Sequence, residues 1–170
     1  MPDKNSYRYL LAFGSNLGAV EKNCHDGLQA LSQFVKINKC SKWIETEPLP
    51  STIYDIGDHG SYLNFVVDIA TSREPKKLYN CIVEIEDAIG HCRERRWAPR
   101  RMDIDILFWA DNVHSDFSLC TPKLFKEQDD DLEVPHREVW ARDFLIDLIV
   151  KDFTIAYSRL RSHCRGTLLS

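Results

Sequence analysis

The sequence predicts an α+β protein with a ferredoxin-like βαββαβ sandwich, whose core is a four-stranded antiparallel sheet with helices. Two observations support this prediction. First, several runs are rich in branched and aromatic residues, which is typical of strands. Second, two stretches with apolar residues at helical spacing lie among these runs, which gives the order βαββαβ. A later amphipathic stretch over 136–150 predicts a C-terminal helical extension. A chain of 170 residues is long enough for one core, so a single domain over 1–170 is expected.

The order of the elements follows from local composition. Strands are predicted over 7–13, 35–45, 61–70 and 102–108. The first helix is predicted over 19–34, after a turn at Gly14, and the second over 74–90. Residues 46–61 contain two prolines and two glycines, which predicts a long loop, and such loops are usually functional or disordered. Residues 112–131 are predicted to be a polar excursion, and the acidic run over 128–131 at its end is most simply a solvated loop.

Composition and charge limit the possible classes of function. The net charge of −4 argues against a nucleic-acid partner, because binding the phosphate backbone needs a basic face. No long apolar run follows the polar N-terminus, so neither a signal peptide nor a membrane partner is expected. The six cysteines form no Cys-x-x-Cys pair, which favours reduced thiols and a cytoplasmic location. We expect a monomer.

The most informative stretch is 93–109, RERRWAPRRMDIDILFW, where a cluster of arginines leads into a strand with two aspartates. Side chains alternate along a strand, so Asp103 and Asp105 share one face and Ile104 lies on the other. Two neighbouring carboxylates repel each other unless cations lie between them, and a hard ion such as Mg²⁺ prefers oxygen ligands. A polyphosphate would account for both features, because metal ions bridge carboxylates to phosphate while arginines bind the remaining oxygens.

Two alternatives to a phosphate site stay open, one for this stretch and one for the whole chain. Structural Arg–Asp salt bridges account for the charges about equally well when these residues are taken alone. Trp97 and Pro99 favour the phosphate site, since a rigid Trp-Ala-Pro-Arg segment fixes the chain just before the strand. An RNA-binding module that stacks bases on sheet aromatics is a different class of function. The acidic net charge and the absence of the aromatic-rich strand motif of such modules argue against it.

Four segments in the right order give a more specific indication. They are FGSNLG (13–18), ETEPLP followed by YLNFVVDI (45–69), RWAPRRMDIDILFW (96–109) and VPHREVWARDFLIDL (134–148). Together they resemble the 6-hydroxymethyl-7,8-dihydropterin pyrophosphokinases of folate biosynthesis, over roughly residues 8–148. The ferredoxin-like fold predicted from the element order is also the fold of that family.

The resemblance implies an ATP-dependent pyrophosphokinase. The hydroxymethyl oxygen of the pterin attacks the β-phosphorus of ATP, and AMP leaves, in a reaction dominated by positioning and charge stabilisation. The implied partners are ATP as co-substrate and the pterin as acceptor, with two Mg²⁺ ions as cofactors. A diverged paralogue that binds nucleotide or pterin with weak or no transfer is the alternative. His91 stands where the family usually has an arginine, and Ala98 stands where it usually has a glycine.

The resemblance also implies roles for individual residues. The metal ligands are Asp103 and Asp105. The catalytic residues that bind phosphate are Arg93, Arg96, Arg100 and His91. Nucleotide contacts are implied for Glu86, Trp97, Ile106, His136 and Arg142. Pterin contacts are implied for Thr46, Leu49, Tyr62, Asn64 and Phe144, where the two aromatic rings enclose the pterin and the amide pairs with its edge.

Several of these residues have a simpler structural role when the resemblance is set aside. Glu86 suits a solvated helix face as well as it suits an active centre. Phe144 and Trp97 suit packing, because most aromatic side chains on helices simply pack. His136 suits an ordinary polar surface, and His91 suits a cap at the end of the second helix.

Overall fold

The computed structural model describes residues 6–47, 60–90, 101–112, 116–127 and 132–162. The strands are β1 (Tyr7–Ser15), β2 (Lys36–Cys40), β3 (Ile44–Thr46), β4 (Tyr62–Thr71), β5 (Asp103–Asp111), β6 (Phe125–Lys126) and β7 (Glu133–Val134). The helices are α1 (Val20–Ser32), α2 (Pro75–Ile89), α3 (Asp143–Asp152) and α4 (Tyr157–Ser162), with 3₁₀ turns at Phe117–Leu119 and Val139–Ala141. The fold is therefore mixed α and β with an antiparallel sheet. None of the helices in these ranges is long and apolar enough to cross a membrane.

The larger sheet has the order β2-β4-β1-β5, and β3 pairs with β4 beyond the end of β2. The single strand predicted over 35–45 is wrong, because two strands occupy this range. Ser41 separates them. Its backbone N–H donates to Val66 O at 2.8 Å, and its hydroxyl oxygen accepts from the Val66 N–H at 2.9 Å. A side chain thus replaces a backbone carbonyl in the ladder, which the apolar pattern could not indicate.

Helices cover both faces of this sheet. On one face, which we call the α1–α2 face, Leu11, Phe13 and Phe65 are almost completely buried beneath α1 and α2. On the other, which we call the α3 face, Leu10 and Val66 are fully buried in a cluster with side chains of α3 and α4. Each buried side chain of this size contributes about 1.5–3 kcal/mol. The two faces therefore form two separate cores on one sheet.

A bulge in β5 changes which side chains reach each face. β1 pairs Leu11 with Ile106 and Leu10 with Phe108, so Leu107 is an extra residue on β5. Leu107 and Phe108 both lie in the α3-face core, and the following Trp109 lies in the α1–α2 core. The predicted alternation along this strand therefore holds as far as Leu107 and breaks at Phe108.

The third helix begins later than the predicted range of 136–150. Arg142 has φ −109° and ψ 80°, outside the helical region, and a 3₁₀ turn precedes it. Its carbonyl accepts from the Leu145 N–H at 3.0 Å, so Arg142 is the residue from which α3 starts. The apolar spacing continues across this break, and for that reason the periodicity could not locate it.

The polar excursion predicted over 112–131 includes buried apolar residues, and the acidic run over 128–131 that was predicted to be solvated lies outside the described residues. Phe117 and Cys120 are buried in the α3-face core. The Asp116 carboxylate accepts from the Ser118 N–H at 2.9 Å and so fixes the 3₁₀ turn that carries Phe117. The excursion thus contributes apolar packing that its polar composition concealed.

A buried ion pair joins β1 to β4 on the α3 face. Arg8 Nε donates to Asp68 Oδ1 at 3.0 Å, its Nη2 binds the other carboxylate oxygen, and both side chains are almost completely buried. Burial raises the pKa of the Asp68 carboxyl, and the hydrogen bonds and charge of Arg8 oppose that rise. The two residues are 60 positions apart, so no local pattern indicated the pair.

Candidate active site

The two carboxylates predicted to bind metal stand at the start of β5. Asp103 and Asp105 are partly exposed, and Ile104 and Ile106 are buried in the α1–α2 core. The predicted alternation, with the aspartates on the other face from the isoleucines, is confirmed. The side chain of Ile106 points away from the aspartates, so only its backbone is available for a nucleotide contact.

Two side chains from the segment before α3 reach Asp105. Arg142 Nη1 donates to Asp105 Oδ2 at 3.3 Å, and His136 Nε2 lies 3.7 Å from Asp105 Oδ1. The backbone N–H of His136 also donates to Leu107 O at 3.1 Å, which ties this segment to β5. The structure therefore brings two predicted nucleotide-binding residues to one of the predicted metal ligands.

Glu138 completes this cluster, and its role was not predicted from the sequence. Its Oε2 accepts from Arg142 Nη2 at 2.6 Å, and its backbone N–H donates to His136 Nδ1 at 3.3 Å. Because Nδ1 acts as an acceptor, the neutral imidazole carries its proton on Nε2, which faces Asp105. The guanidinium of Arg142 thus lies between two carboxylates. The spacing of four residues between Glu138 and Arg142 was the signal available in the sequence.

Three of the predicted pterin-binding residues, Thr46, Tyr62 and Asn64, also meet on the α3 face, and Phe144 lies on the same face. Asn64 is almost buried, and its Nδ2 donates to Thr46 Oγ1 at 2.6 Å and to Tyr62 O at 3.4 Å. Both amide hydrogens are used within the protein, which leaves Oδ1 as the group available to a ligand. Tyr62 is partly exposed, and Phe144 is partly exposed while it packs on the α3-face core. The packing role and the ligand role of Phe144 are therefore compatible.

Gly14 lies between the predicted pterin-binding residues on β4 and the predicted metal ligands on β5. The turn predicted at Gly14 is wrong, because Gly14 is within β1 and pairs with both Asn64 on β4 and Asp103 on β5. A Cβ atom at this position would lie 3.2 Å from Asn64 Oδ1 and 4.0 Å from Tyr62 Cδ1. Glycine thus keeps the surface of the sheet open between the amide and the carboxylate. Adjacent strands are about 4.8 Å apart, so the backbones of Asn64 and Asp103 are separated by about 10 Å.

Glu86 supports the aspartates from the opposite face. It is 5% exposed on α2, and its Oε1 accepts from the Ile104 N–H at 2.8 Å. The interpretation of Glu86 as part of a solvated helix face is therefore wrong. The carboxylate holds the β5 backbone between Asp103 and Asp105, and a sequence pattern could not show this contact because it joins a helix to a strand.

Some predicted site residues lie outside the described residues. They are Leu49, His91, Arg93, Arg96, Trp97 and Arg100. The described residues that flank 91–100 lie close together, since a Cβ atom at Gly90 would be 3.2 Å from Arg101 Cδ. Ser15 Oγ donates to Arg101 O, which ties the start of β5 to the end of β1. Gly90 and Arg101, which flank the stretch that contains the predicted phosphate-binding arginines, thus lie beside each other just before β5.

The donor set of Asp103 and Asp105 suits one kind of metal binding. In the part of the chain that the structure describes, no group of three or more His, Cys, Asp or Glu side chains could hold a metal ion. Mg²⁺ keeps several waters and is usually bound by one or two carboxylates together with substrate phosphates. The two aspartates therefore fit Mg²⁺ that binds together with a phosphate, and they do not form a closed metal cage.

The fold class is defined by a likeness to a solved structure. The chain is similar to a crystal structure of an HPPK-DHPS in complex with substrates, with a TM-score of 0.57 and 14% sequence identity. The similarity covers 92% of this chain and 42% of that chain. At this level of identity the likeness establishes the fold alone.

The sequence then establishes the family. The profile of the 7,8-dihydro-6-hydroxymethylpterin-pyrophosphokinase (HPPK) family matches residues 10–151, and the chain belongs to this family. It is 32% identical over 145 residues to the 2-amino-4-hydroxy-6-hydroxymethyldihydropteridine pyrophosphokinase of Bacillus subtilis, covering 84% of this chain and 75% of that protein. It is 30% identical over 149 residues to the bifunctional protein FolKE of Lactococcus lactis subsp. lactis. That match covers 84% of this chain and spans 38% of the length of FolKE.

Proposed function

We propose that the chain transfers pyrophosphate from ATP to 6-hydroxymethyl-7,8-dihydropterin, giving AMP and the pterin diphosphate in folate biosynthesis. Family membership supports the reaction. The structural observation that carries the proposal is the cross-strand arrangement of Asn64, Gly14 and Asp103. It sets an amide acceptor for the pterin and a carboxylate for the metal on one face of the sheet, with no side chain on the residue between them.

The nucleotide would bind at the β5 side of this arrangement. Asp103 and Asp105 would hold two Mg²⁺ ions, which when bound neutralise charge on the triphosphate. Arg142 would donate to phosphate oxygens, since its guanidinium has five N–H groups and its contacts with Asp105 and Glu138 engage one nitrogen each. His136 and the backbone of Ile106 would add nucleotide contacts. The predicted contributions of Arg93, Arg96, Arg100, His91 and Trp97 come from the resemblance in sequence.

The pterin would bind at the β4 side. Asn64 Oδ1 would accept from an N–H on the edge of the pterin, because Thr46 and the Tyr62 carbonyl hold the amide in that orientation. The rings of Tyr62 and Phe144 would stack on the two faces of the pterin. Leu49 would add a backbone contact, as the resemblance implies. An acceptor held in this way would present its hydroxymethyl oxygen to the β-phosphorus as a positioned nucleophile.

We further propose a finer classification of the fold, together with a domain organisation, a cellular location and an oligomeric state. The strand order β2-β4-β1-β5, with α1 and α2 on one face, supports a ferredoxin-like arrangement in a single domain over 1–170. In this arrangement α3 and α4 form the C-terminal helical extension. The small, diffusible substrates are consistent with a cytoplasmic monomer that has no nucleic-acid or membrane partner.

Measuring AMP release tests this function. The protein is incubated with ATP and Mg²⁺, with and without the hydroxymethyl-dihydropterin, and each reaction is repeated with EDTA. We expect AMP only when the pterin and Mg²⁺ are both present. Binding of ATP or pterin without AMP release would instead support a diverged paralogue, and binding of neither substrate would contradict the proposal.

Replacing Gly14 by alanine is expected to weaken pterin binding about tenfold, because the new methyl group would press on Asn64 Oδ1. Nucleotide binding should change much less, since Arg142 and His136 lie at the other side of the arrangement. Isothermal titration of each ligand separately would measure both affinities.

Gly27→Ala is the matched control for this variant. It adds the same methyl group on the opposite side of the sheet, where the Cβ would lie 3.4 Å from Met102 Sδ and from Phe13 Cε1. Pterin affinity in Gly27→Ala should stay close to that of the natural protein. Unchanged pterin binding in Gly14→Ala would show that the open surface at Gly14 is not part of the pterin site.

A further inference from the structure

We propose that Glu138 is a positioning residue that sets the orientation of the Arg142 guanidinium for nucleotide binding. This inference rests on the proposed function, because it assigns Glu138 to the nucleotide side of the same site. Glu138 would act through Arg142, and it would contact neither substrate.

The contacts of Arg142 support this role. Its Nη2 lies 2.6 Å from Glu138 Oε2, whereas its Nη1 lies 3.3 Å from Asp105 Oδ2. The bond to Glu138 is therefore the shorter of the two. Glu138 is itself held, because its backbone N–H donates to His136 Nδ1 just before the 3₁₀ turn. The Glu138 carboxylate thus binds one end of the guanidinium fork from a backbone that is held by His136.

The geometry that Arg142 could adopt without Glu138 shows why the hydrogen bond between them matters. Arginine forms bidentate pairs readily, and Asp105 has two carboxylate oxygens, of which Oδ2 already accepts from Arg142 Nη1 and Oδ1 lies 3.7 Å from His136 Nε2. With Glu138 removed, the guanidinium could turn to bind Asp105 through both terminal nitrogens. Such a pair would compete with Mg²⁺ for Asp105 and would withdraw N–H groups from phosphate. Glu138 prevents this by holding Nη2 away from Asp105.

The negative charge of Glu138 raises an opposing effect, since a carboxylate near the triphosphate would repel it. The side chain of Glu138 is 35% exposed and that of Arg142 is 22% exposed, so water screens part of the charge of Glu138. The positive charge of Arg142, 2.6 Å from Glu138 Oε2, also opposes the field of Glu138. Orientation of the guanidinium therefore outweighs repulsion, and removing Glu138 should weaken nucleotide binding.

A double-mutant cycle with Arg142 tests the proposal. The dissociation constants of Mg·ATP, without pterin, and of pterin alone are measured for Glu138→Ala, Glu138→Gln, Arg142→Ala and the Glu138→Ala/Arg142→Ala double variant. Glu138→Ala should weaken Mg·ATP binding about threefold to tenfold and leave pterin binding unchanged. Glu138→Gln keeps an acceptor oxygen, so its loss should be intermediate. In the Arg142→Ala background, Glu138→Ala should have no further effect.

Asp26→Asn is the matched control. Asp26 accepts from Lys22, also four residues away, on the exposed surface of α1, and the substitution removes one negative charge as Glu138→Gln does. Its Mg·ATP affinity should equal that of the natural protein.

Three outcomes would overturn the inference: tighter Mg·ATP binding in Glu138→Ala, an equal loss with and without Arg142, or a parallel loss of pterin binding. A natural protein that binds Mg·ATP but releases no AMP with pterin would contradict the proposed transfer alone. The binding cycle for Glu138 would still decide its role in that case.

Discussion

Replacing Asp103 or Asp105 by asparagine is expected to reduce pyrophosphate transfer by at least about 10²–10³-fold while the protein remains folded. The amide has nearly the shape of the carboxylate, so packing at the start of β5 should be retained. It lacks the negative charge that holds Mg²⁺ against a polyphosphate. AMP release at saturating ATP, pterin and Mg²⁺ measures the effect, and circular dichroism verifies the fold.

Asp111→Asn provides the control on the same strand. Asp111 lies at the far end of β5, is largely exposed and pairs with Lys123 at 2.9 Å. Removing this carboxylate charge in Asp111→Asn should leave turnover close to that of the natural protein. If Asp103→Asn or Asp105→Asn behaved like Asp111→Asn, the assignment of the metal ligands would be wrong.

Replacing Asp68 by alanine is expected to lower the free energy of unfolding by about 3–5 kcal/mol. The substitution leaves the guanidinium of Arg8 buried without the carboxylate that now accepts two of its hydrogen bonds. A buried charge that loses its ion-pair partner costs more free energy than an exposed one. Urea denaturation followed by fluorescence would give the difference between the variant and the natural protein.

Two further variants identify the origin of that loss. Replacing both partners with apolar residues, Arg8→Met with Asp68→Leu, should recover most of the stability, because no charge of this pair remains buried. Asp26→Asn breaks the exposed pair with Lys22 and should change the unfolding free energy by less than about 0.5 kcal/mol. A loss below about 1 kcal/mol in Asp68→Ala would mean that the pair contributes little.

Features fixed by local alternation or local spacing could be predicted from the sequence. The aspartates of β5 lie on the opposite face from Ile104, as the period of two residues requires. The helix predicted over 74–90 is α2 (Pro75–Ile89), with Gly90 at φ 101° just beyond its end. Both predictions depend only on neighbours in the chain.

Features that depend on distant contacts could not be predicted in this way. The Ser41 hydroxyl divides a strand because it meets Val66, and the Glu86 carboxylate is buried because it meets the backbone of Ile104. Arg142 interrupts a helix whose apolar spacing is continuous. In each case the deciding partner lies on another element, so residue type and spacing along the chain could not predict the contact.

The pairing of Gly14 with both Asn64 and Asp103 also limits how an enzyme of this kind can change during evolution. The hydrogen-bonded backbones of β4, β1 and β5 allow the amide and the carboxylate to move relative to each other only in whole-residue increments. A slip of one residue would turn Asp103 to the α1–α2 face, and a slip of two would displace it by about 7 Å. No gradual adjustment of this pair is available for a larger or smaller acceptor. Under the proposed function, adaptation to a new acceptor would therefore come from substituted side chains, such as those of Tyr62 and Phe144, and not from a shift of the strands.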